Sequence, residues 1–419
     1  MNRELDPTSE RPIEDLESPF GDRQFLGLWA VGLLSSLVRW VELLAYGVFT
    51  YQQSGSAMWV ASMMVLRMLP LALFGVGFGA VAARISRRNG LLVTQGAQLG
   101  SSLLLLGMSA AGVLEVWHLA VASFVGGAAW AGDMPLRRSL IGELVGPHRM
   151  GRAMAFDAIA NNGSRLVGPA AGGLLLASGG MTAVFAVASV TYAVVVATVA
   201  ALRSAPTDHT LDPRRPYKSV GAVLADAFQA ARQSPRMIAV LYVTIIFNLF
   251  CWPMVSMVPV IAQDQLQLSS RGIGLLASME GVGAVLGSLM LLMLARRLKQ
   301  GHVYVGGTIL FLGMMPAFAL STLPLLSGAA LVLIGAGQAS FAVMQATLVF
   351  VSSPPERRLE AFGLLTMCIG VAPVGFLLMG WLAERVGASW AVVAIAASGA
   401  AIMAVTLRLW RPVLSTGSS

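Results

Sequence analysis

From Phe25 to the C-terminus, long apolar runs alternate with short polar breaks, and each run is long enough to cross a bilayer. A helix needs roughly 20 apolar residues to span the hydrocarbon core. The runs fall at 25–49, 57–83, 91–113, 117–141, 153–177, 181–202, 237–262, 270–295, 303–320, 325–351, 360–384 and 388–409. Apolarity within each run is continuous rather than alternating. Lipid offers no partner to backbone N–H and C=O groups, so helices are predicted and the strands of a closed barrel are not. The predicted fold class is an all-α membrane protein of twelve transmembrane helices.

Composition supports the bilayer as solvent: 56% of the 419 residues are apolar and 11% charged, against about a quarter charged in soluble chains. The net charge of +8 raises nucleic acid as a partner, and the placement of the bases removes it. Apart from Arg39, Arg67 and Arg165 inside runs and Arg271 and Arg385 on one side, the Lys and Arg residues gather in the N-terminal tail, the alternate loops beginning with Arg84 to Arg88, and the C-terminal tail. That asymmetry is the positive-inside pattern. It predicts a multi-pass protein of the inner (cell) membrane with both termini cytoplasmic.

The first 23 residues are acidic and interrupted by prolines, the reverse of a signal peptide's basic start, and are expected to be a disordered cytoplasmic tail. Cys251 and Cys368 fall in separate runs without metal-ligand spacing and are expected to pack as small apolar residues.

One long loop, 203–236, divides the chain into six runs and six. It reads as a polar linker ending in a short amphipathic helix, Val220 to Arg232. The expected organisation is therefore a tail (1–23), an N-terminal bundle (24–202), the linker (203–236), a C-terminal bundle (237–410) and a tail (411–419). The halves echo each other. A short loop at Gln53 to Ser56 answers Leu268 to Arg271; the pair Arg87 and Arg88 answers Arg296 and Arg297; and Gly168-Pro169 answers Pro373 to Gly375.

The stretch Gly79, Ala83, Arg84, Arg87, Arg88 resembles the loop 2–3 signature of the major facilitator superfamily, G-x-x-x-D-R-x-x-R-R, with Ala83 where the family usually carries Asp. The resemblance implies two parallel six-helix repeats with the substrate between them near the midplane. It also implies a cytoplasmic latch in which Arg87 meets an acid of span 4, for which Asp133 is the candidate. In span 5, Gly168-Pro169-Ala-Ala-Gly172-Gly173 resembles the G-P-x-x-G-G motif of drug:proton antiporters, with Ser164 at its preceding glycine. Gly55 to Ala57, Leu66 to Pro70 and Gly75 look most like the branch holding enterobactin exporters and macrolide-efflux proteins. Export is what this likeness implies. The plain alternative for such glycines, and the expected one for Gly283 and Gly287, is close helix packing.

Ionisable groups at mid-depth are costly, about 2.5–3.5 kcal/mol each on insertion scales, and persist chiefly where a cavity or partner offsets the cost. Arg39, Glu42, Arg67, Arg165 and Glu280 sit there. Ser35, Arg39, Glu42 and Tyr46 recur at helical spacing on one face of span 1, which is expected to line the central cavity. Asp157, Asn161, Arg165, Gly168 and Gly172 form a second stripe. A purely structural role would make Arg39 and Glu42 an intrahelical pair, with Glu280 a partner of Arg67 or Arg165. A functional role gives cargo recognition to the bases and the coupling proton to a glutamate. Glu280, with no basic neighbour on its own helix, is the first candidate, and Glu42 beside Arg39 the second.

There is no P-loop, and His118, His148, His209 and His302 are scattered without ligand or nucleophile geometry. Neither an enzyme nor a cofactor or metal is expected. The expected function is proton-coupled efflux of a small organic molecule by a monomeric carrier. Proton-coupled uptake is the nearest alternative, and a non-transporting sensor on the same fold is the more distant one.

Overall fold

The computed structural model describes residues 21–82, 86–202, 234–294, 299–353 and 358–414. Most of the expected N-terminal tail, the linker through residue 233 with its amphipathic helix, and Arg84 lie outside the described residues, as do the surroundings of Gly79. What is described is helical apart from short connections. The first helices are α1 (Arg23–Ser54), α2 (Ala57–Ala82) and α3 (Arg87–Ala110). A run from Val116 to Ala201 is broken at Gly146 (φ 71°), and again at Gly179 and Gly180 (φ 62° for the latter). Glycine tolerates that left-handed backbone where other residues do not. The breaks make three helices: α4 (Val116–Gly146), α5 (147–178) and α6 (181–201).

The second half holds α7 (Pro235–Asp264), α8 (Ser270–Leu294), α9 (Gln300–Leu320), α10 (Pro324–Ser352), α11 in two pieces (Arg358–Ile369 and Ala372–Val386) and α12 (Ala388–Val405). Ten helices of the described residues are long and apolar enough to cross a membrane, with Arg149–Ala201 taken as one. Division at Gly179 and Gly180, with α2 added, gives twelve. Local signals set the ends. Asp22 accepts from the N–H of Gln24 at 2.8 Å at the start of α1, Gly55 (φ 61°) closes it, and Ser86 and Ser234 cap α3 and α7.

Two helices expected to be continuous are not. In α7, Phe247–Cys251 is a π-helical turn and Trp252–Met257 a 3-10 turn. Pro253, which has no N–H to donate, lies just past the widened turn. In α11 the break at Gly370 and Val371 precedes Pro373. The two irregular helices pack together: a Cβ on Gly375 would lie 2.6 Å from the carbonyl oxygen of Leu249 and 2.7 Å from the Pro253 ring.

Apolar side chains gain little from leaving lipid, so close backbone approach has to hold the bundles together. Gly283 lies against the Val332 carbonyl and Gly287 against Ala336, so both pack on α10 as expected for structural glycines. Gly127 of α4 sits against the backbone of Arg67 on α2.

Between the halves, three seams can be named. Gly47 of α1 rests on Pro259 of α7, Gly380 of α11 rests on Met58 and Ala61 of α2, and α5 crosses α8 through Gly173 on Gly274 and Gly281 on Leu166. These seams run from mid-depth to the end of the molecule away from both termini. The far end is sealed further by polar contacts: the Tyr51 hydroxyl donates to Asp264, the Ser56 hydroxyl donates to Glu384, and the same carboxylate accepts from the N–H of Met58 at 3.1 Å. Glu384 thereby caps the N-terminus of α2 from the opposite half, where the helix dipole favours a negative charge.

Candidate functional site

A cavity lies between the halves at mid-depth. Trp40, Tyr46, Met63, Met64 and Arg67 wall it on one side, with Met254, Pro259, Ala277, Glu280 and Leu331 on the other. Most of the wall is apolar. Pro169, Ala277 and Glu280 bring the α5–α8 crossing to the cavity wall, and there Arg165 Nη2 lies 2.7 Å from Glu280 Oε1. The pair is made across the two halves, and both side chains are largely buried (15% and 8% exposed). Arg165 also stacks on Trp40, 5.0 Å from guanidinium carbon to ring centroid. One turn along, the N–H of Ala170 donates to Ser278 Oγ at 2.9 Å.

The G-P-x-x-G-G motif builds this crossing. A Cβ on Gly168 would meet Trp40 Cβ at 2.4 Å, and one on Gly172 would meet the Val41 carbonyl oxygen at 3.0 Å, so both face α1. A Cβ on Gly173 would point the other way, 2.5 Å from the Ser270 carbonyl oxygen, and one on Gly274 would lie 2.5 Å from the Pro169 carbonyl oxygen. The motif therefore holds α5 between α1, its partner within the half, and α8, its partner across the seam.

The polar face of α1 does not line the central cavity as expected. Of Ser35, Arg39, Glu42 and Tyr46, only Tyr46 does; Trp40, Leu43, Leu44 and Gly47 supply the rest of α1's share. The others turn into the N-terminal bundle, because their partners stand on α3, α4 and α6. Ser35 donates to Gln95 Oε1 at 3.2 Å, and Gln95 donates to Asp133 Oδ1 at 2.7 Å. Tyr192 donates to Glu42 at 3.3 Å and accepts from Gln98 at 3.1 Å. Arg39 lies over the Trp130 ring, 5.3 Å from its centroid, rather than in an ion pair with Glu42. Ser35, Arg39, Gln95, Gln98, Trp130, Asp133 and Tyr192 enclose a second, smaller polar cavity inside this bundle.

Toward the termini the network ends in an ionic cluster. Arg137 binds Asp157 directly and lies 3.6 Å from Asp133, while Arg138 lies 3.6 Å from Asp157. Asn161 accepts from Ser36 Oγ at 3.0 Å, joining α5 to α1. Arg87 meets Glu143 of α4, and Asp133 is held by Gln95 and Arg137. The expected partnership of Arg87 with Asp133 is thus absent from this conformation. Arg88 donates to the carbonyls of Val199 and Ala200 at the end of α6, where a cation suits the helix terminus.

Sequence reasoning passed over Gln95, Gln98 and Tyr192. The signal was present in the i, i+3 spacing of Gln95 and Gln98, the two glutamines of span 3. Tyr51, Asp264 and Glu384 of the far-end seal were also passed over, and their pairing across more than two hundred residues left no local trace. Among the described residues, no group of acidic, His or Cys side chains could hold a metal ion.

Twelve helices in two bundles around a midplane cavity, with an ion pair across the joint, define a polytopic membrane transporter of the major facilitator fold. A family model described as transmembrane secretion effector matches residues 16–418, and the chain belongs to that family of the major facilitator superfamily. It is 27% identical over 173 residues to an uncharacterized MFS-type transporter, YfiS, of Bacillus subtilis (strain 168), a match covering 41% of this chain and 40% of the relative's length. Among solved structures, it resembles a bacterial homolog of the human lysosomal transporter Spinster in an inward-facing, unoccupied conformation. There the TM-score is 0.75 at 14% identity, over 96% of this chain and 100% of that one. It also resembles the nucleoside transporter NupG, with TM-score 0.72 at 12% identity over 93% and 99% of the chains. A third likeness is to a D-xylose–proton symporter, with TM-score 0.64 at 14% identity over 91% and 95%.

Proposed function

We propose that this protein exports a small amphipathic organic molecule across the inner membrane in exchange for protons, working as a monomer by alternating access with both termini in the cytoplasm. The observation that carries the proposal is the Arg165–Glu280 ion pair, made between the halves with Glu280 on the wall of the central cavity. Parting α5 from α8 strands two opposite charges in a low-dielectric interior, where an unpaired charge is strongly destabilising. A proton on Glu280 removes one of the two stranded charges, leaving Arg165 stacked on Trp40, and a cargo that takes one member of the pair as its partner lowers the cost as well. The empty, unprotonated carrier stays shut, which is the condition for exchange rather than leak.

Two features favour export: the family's description as secretion effectors, and the span 5 motif Gly168-Pro169-Ala-Ala-Gly172-Gly173. The distribution of Lys and Arg supports cytoplasmic termini, and in that orientation the conformation sealed at the far end loads from the cytoplasm. Inside-out vesicles with an acidified lumen test the proposal, using ethidium, tetraphenylphosphonium, 2-naphthoate and 2-naphthamide as probes. At least one probe should accumulate in the lumen and lose that accumulation when the gradient is collapsed. Accumulation driven only by the reversed gradient would mean uptake, and indifference of all four to the gradient would remove proton coupling.

A further inference from the structure

Arg67 stands out from the other buried bases. Its side chain is 3% exposed, halfway along α2, and its Nη2 is buried without a hydrogen-bond partner. None of the ion pairs among the described residues includes it. Its position is nonetheless firmly set. A Cβ on Gly127 would lie 2.0 Å from the Arg67 carbonyl oxygen, and Gly126 passes within 3.8 Å of the guanidinium carbon by the same measure. Arg67 lines the central cavity opposite an apolar wall that includes Met254, Val258 and Leu331. A buried charged donor left unmade costs more than a neutral one. A water molecule could complete the bond but not offset the charge.

Among the neighbouring charges, Glu42 faces Arg67, but it faces Arg39 as well. Asp133 and Asp157 are both held by Arg137. Arg39 and Arg67 are left to share Glu42. Glu42 takes its hydrogen bond from Tyr192 and is not among the residues lining the central cavity. Arg165 is already held by Glu280 and Trp40. We infer that Arg67 receives the anionic group, a carboxylate or its equivalent, of an amphipathic cargo whose apolar body lies against Trp40 and the methionines Met63, Met64 and Met254. Flexible, polarizable methionine side chains suit bodies of varied shape. Arg67 is then a specificity-determining residue, and its planar fork is matched to a carboxylate as a lysine would not be. The inference rests on the cavity being the cargo site of the proposed exporter.

Three probes sharing one apolar body test it: 2-naphthoate, 2-naphthamide and 2-naphthylmethylammonium, measured by equilibrium dialysis against the full chain in phosphatidylcholine nanodiscs. The naphthoate should bind about tenfold or more tighter than the other two, the scale of a charge-assisted hydrogen bond. Arg67→Gln should erase that preference. Arg67→Lys, which keeps the charge and so guards against a folding failure, should weaken naphthoate several-fold and leave naphthamide unchanged. Tightest binding of the ammonium probe, equal binding of all three, or equal loss of all three in both variants would overturn the inference. Gradient-driven flux without a carboxylate preference would sink this inference alone. A carboxylate preference without gradient-driven flux would sink the proton-coupling proposal and leave Arg67 in its role.

Discussion

Arg165 of the N-terminal half and Glu280 of the C-terminal half meet at 2.7 Å, on helices that also touch backbone to backbone at Gly281 and Leu166. The same crossing therefore carries both close backbone packing between the halves and a buried ion pair. Separation of the halves there has to undo both.

The glycines of the span 5 motif should divide by the helix they face. Gly173→Ala puts a methyl against the Ser270 and Gly274 backbones across the seam, so it should shift the carrier toward opening at the far end. Distances between spin labels on Gln53 and Gln267 would report that shift. Gly168→Ala instead meets Trp40 within its own half. It should lower thermal stability by about 1–3 kcal/mol, the usual cost of overpacking, without moving the label distance.

The far-end seal depends on Glu384 at the N-terminus of α2. Glu384→Ala removes its contacts with Ser56 and with the Met58 N–H. Exposed charge–helix-terminus interactions are worth about 0.3–1 kcal/mol. The same label pair should therefore show the open population rising roughly two- to fivefold, and an unchanged distribution would leave Glu384 no part in gating.

The ionic cluster near the termini should behave as a unit of the fold. Arg137→Ala leaves Asp133 and Asp157 buried without their shared partner, a change that typically costs about 3–5 kcal/mol. Arg138 is 48% exposed on its side chain and only borders Asp157, so Arg138→Ala should be near neutral. Melting temperatures in detergent compare the two, and equal losses would contradict this division.

The fold was legible because the bilayer imposes one rule on every span: continuous apolarity long enough to cross it. The breaks inside α7 and α11 were not, since Pro253 and Pro373 are compatible with a kinked but continuous helix. Gly375 packs on Leu249 and Pro253 where the two irregular helices meet, a long-range contact the local sequence does not announce. At the site, periodicity correctly put Ser35, Arg39, Glu42 and Tyr46 on one face of α1 but could not say what that face meets. Gln95, Gln98 and Tyr192 come from α3 and α6, and only the tertiary arrangement shows that they draw Ser35 and Glu42 inward. The pairing of Glu280 with Arg165 was one of two alternatives open from the sequence, because depth along two helices does not fix their rotation.

The proposal that the Arg165–Glu280 pair couples proton movement to export is tested most directly by the pH dependence of flux in inside-out vesicles. The wild type, Glu280→Gln and Glu42→Gln would be compared, using whichever probe the wild type accumulates best. Glutamine keeps the shape of the protonated acid and most of its hydrogen bonding. Glu280→Gln should therefore still bind the probe but no longer concentrate it on lumen acidification, while Glu42→Gln, whose carboxylate sits inside the N-terminal bundle with Tyr192, keeps its response. Gradient-driven accumulation that survives in Glu280→Gln and vanishes in Glu42→Gln would contradict the account and move the coupling proton to α1.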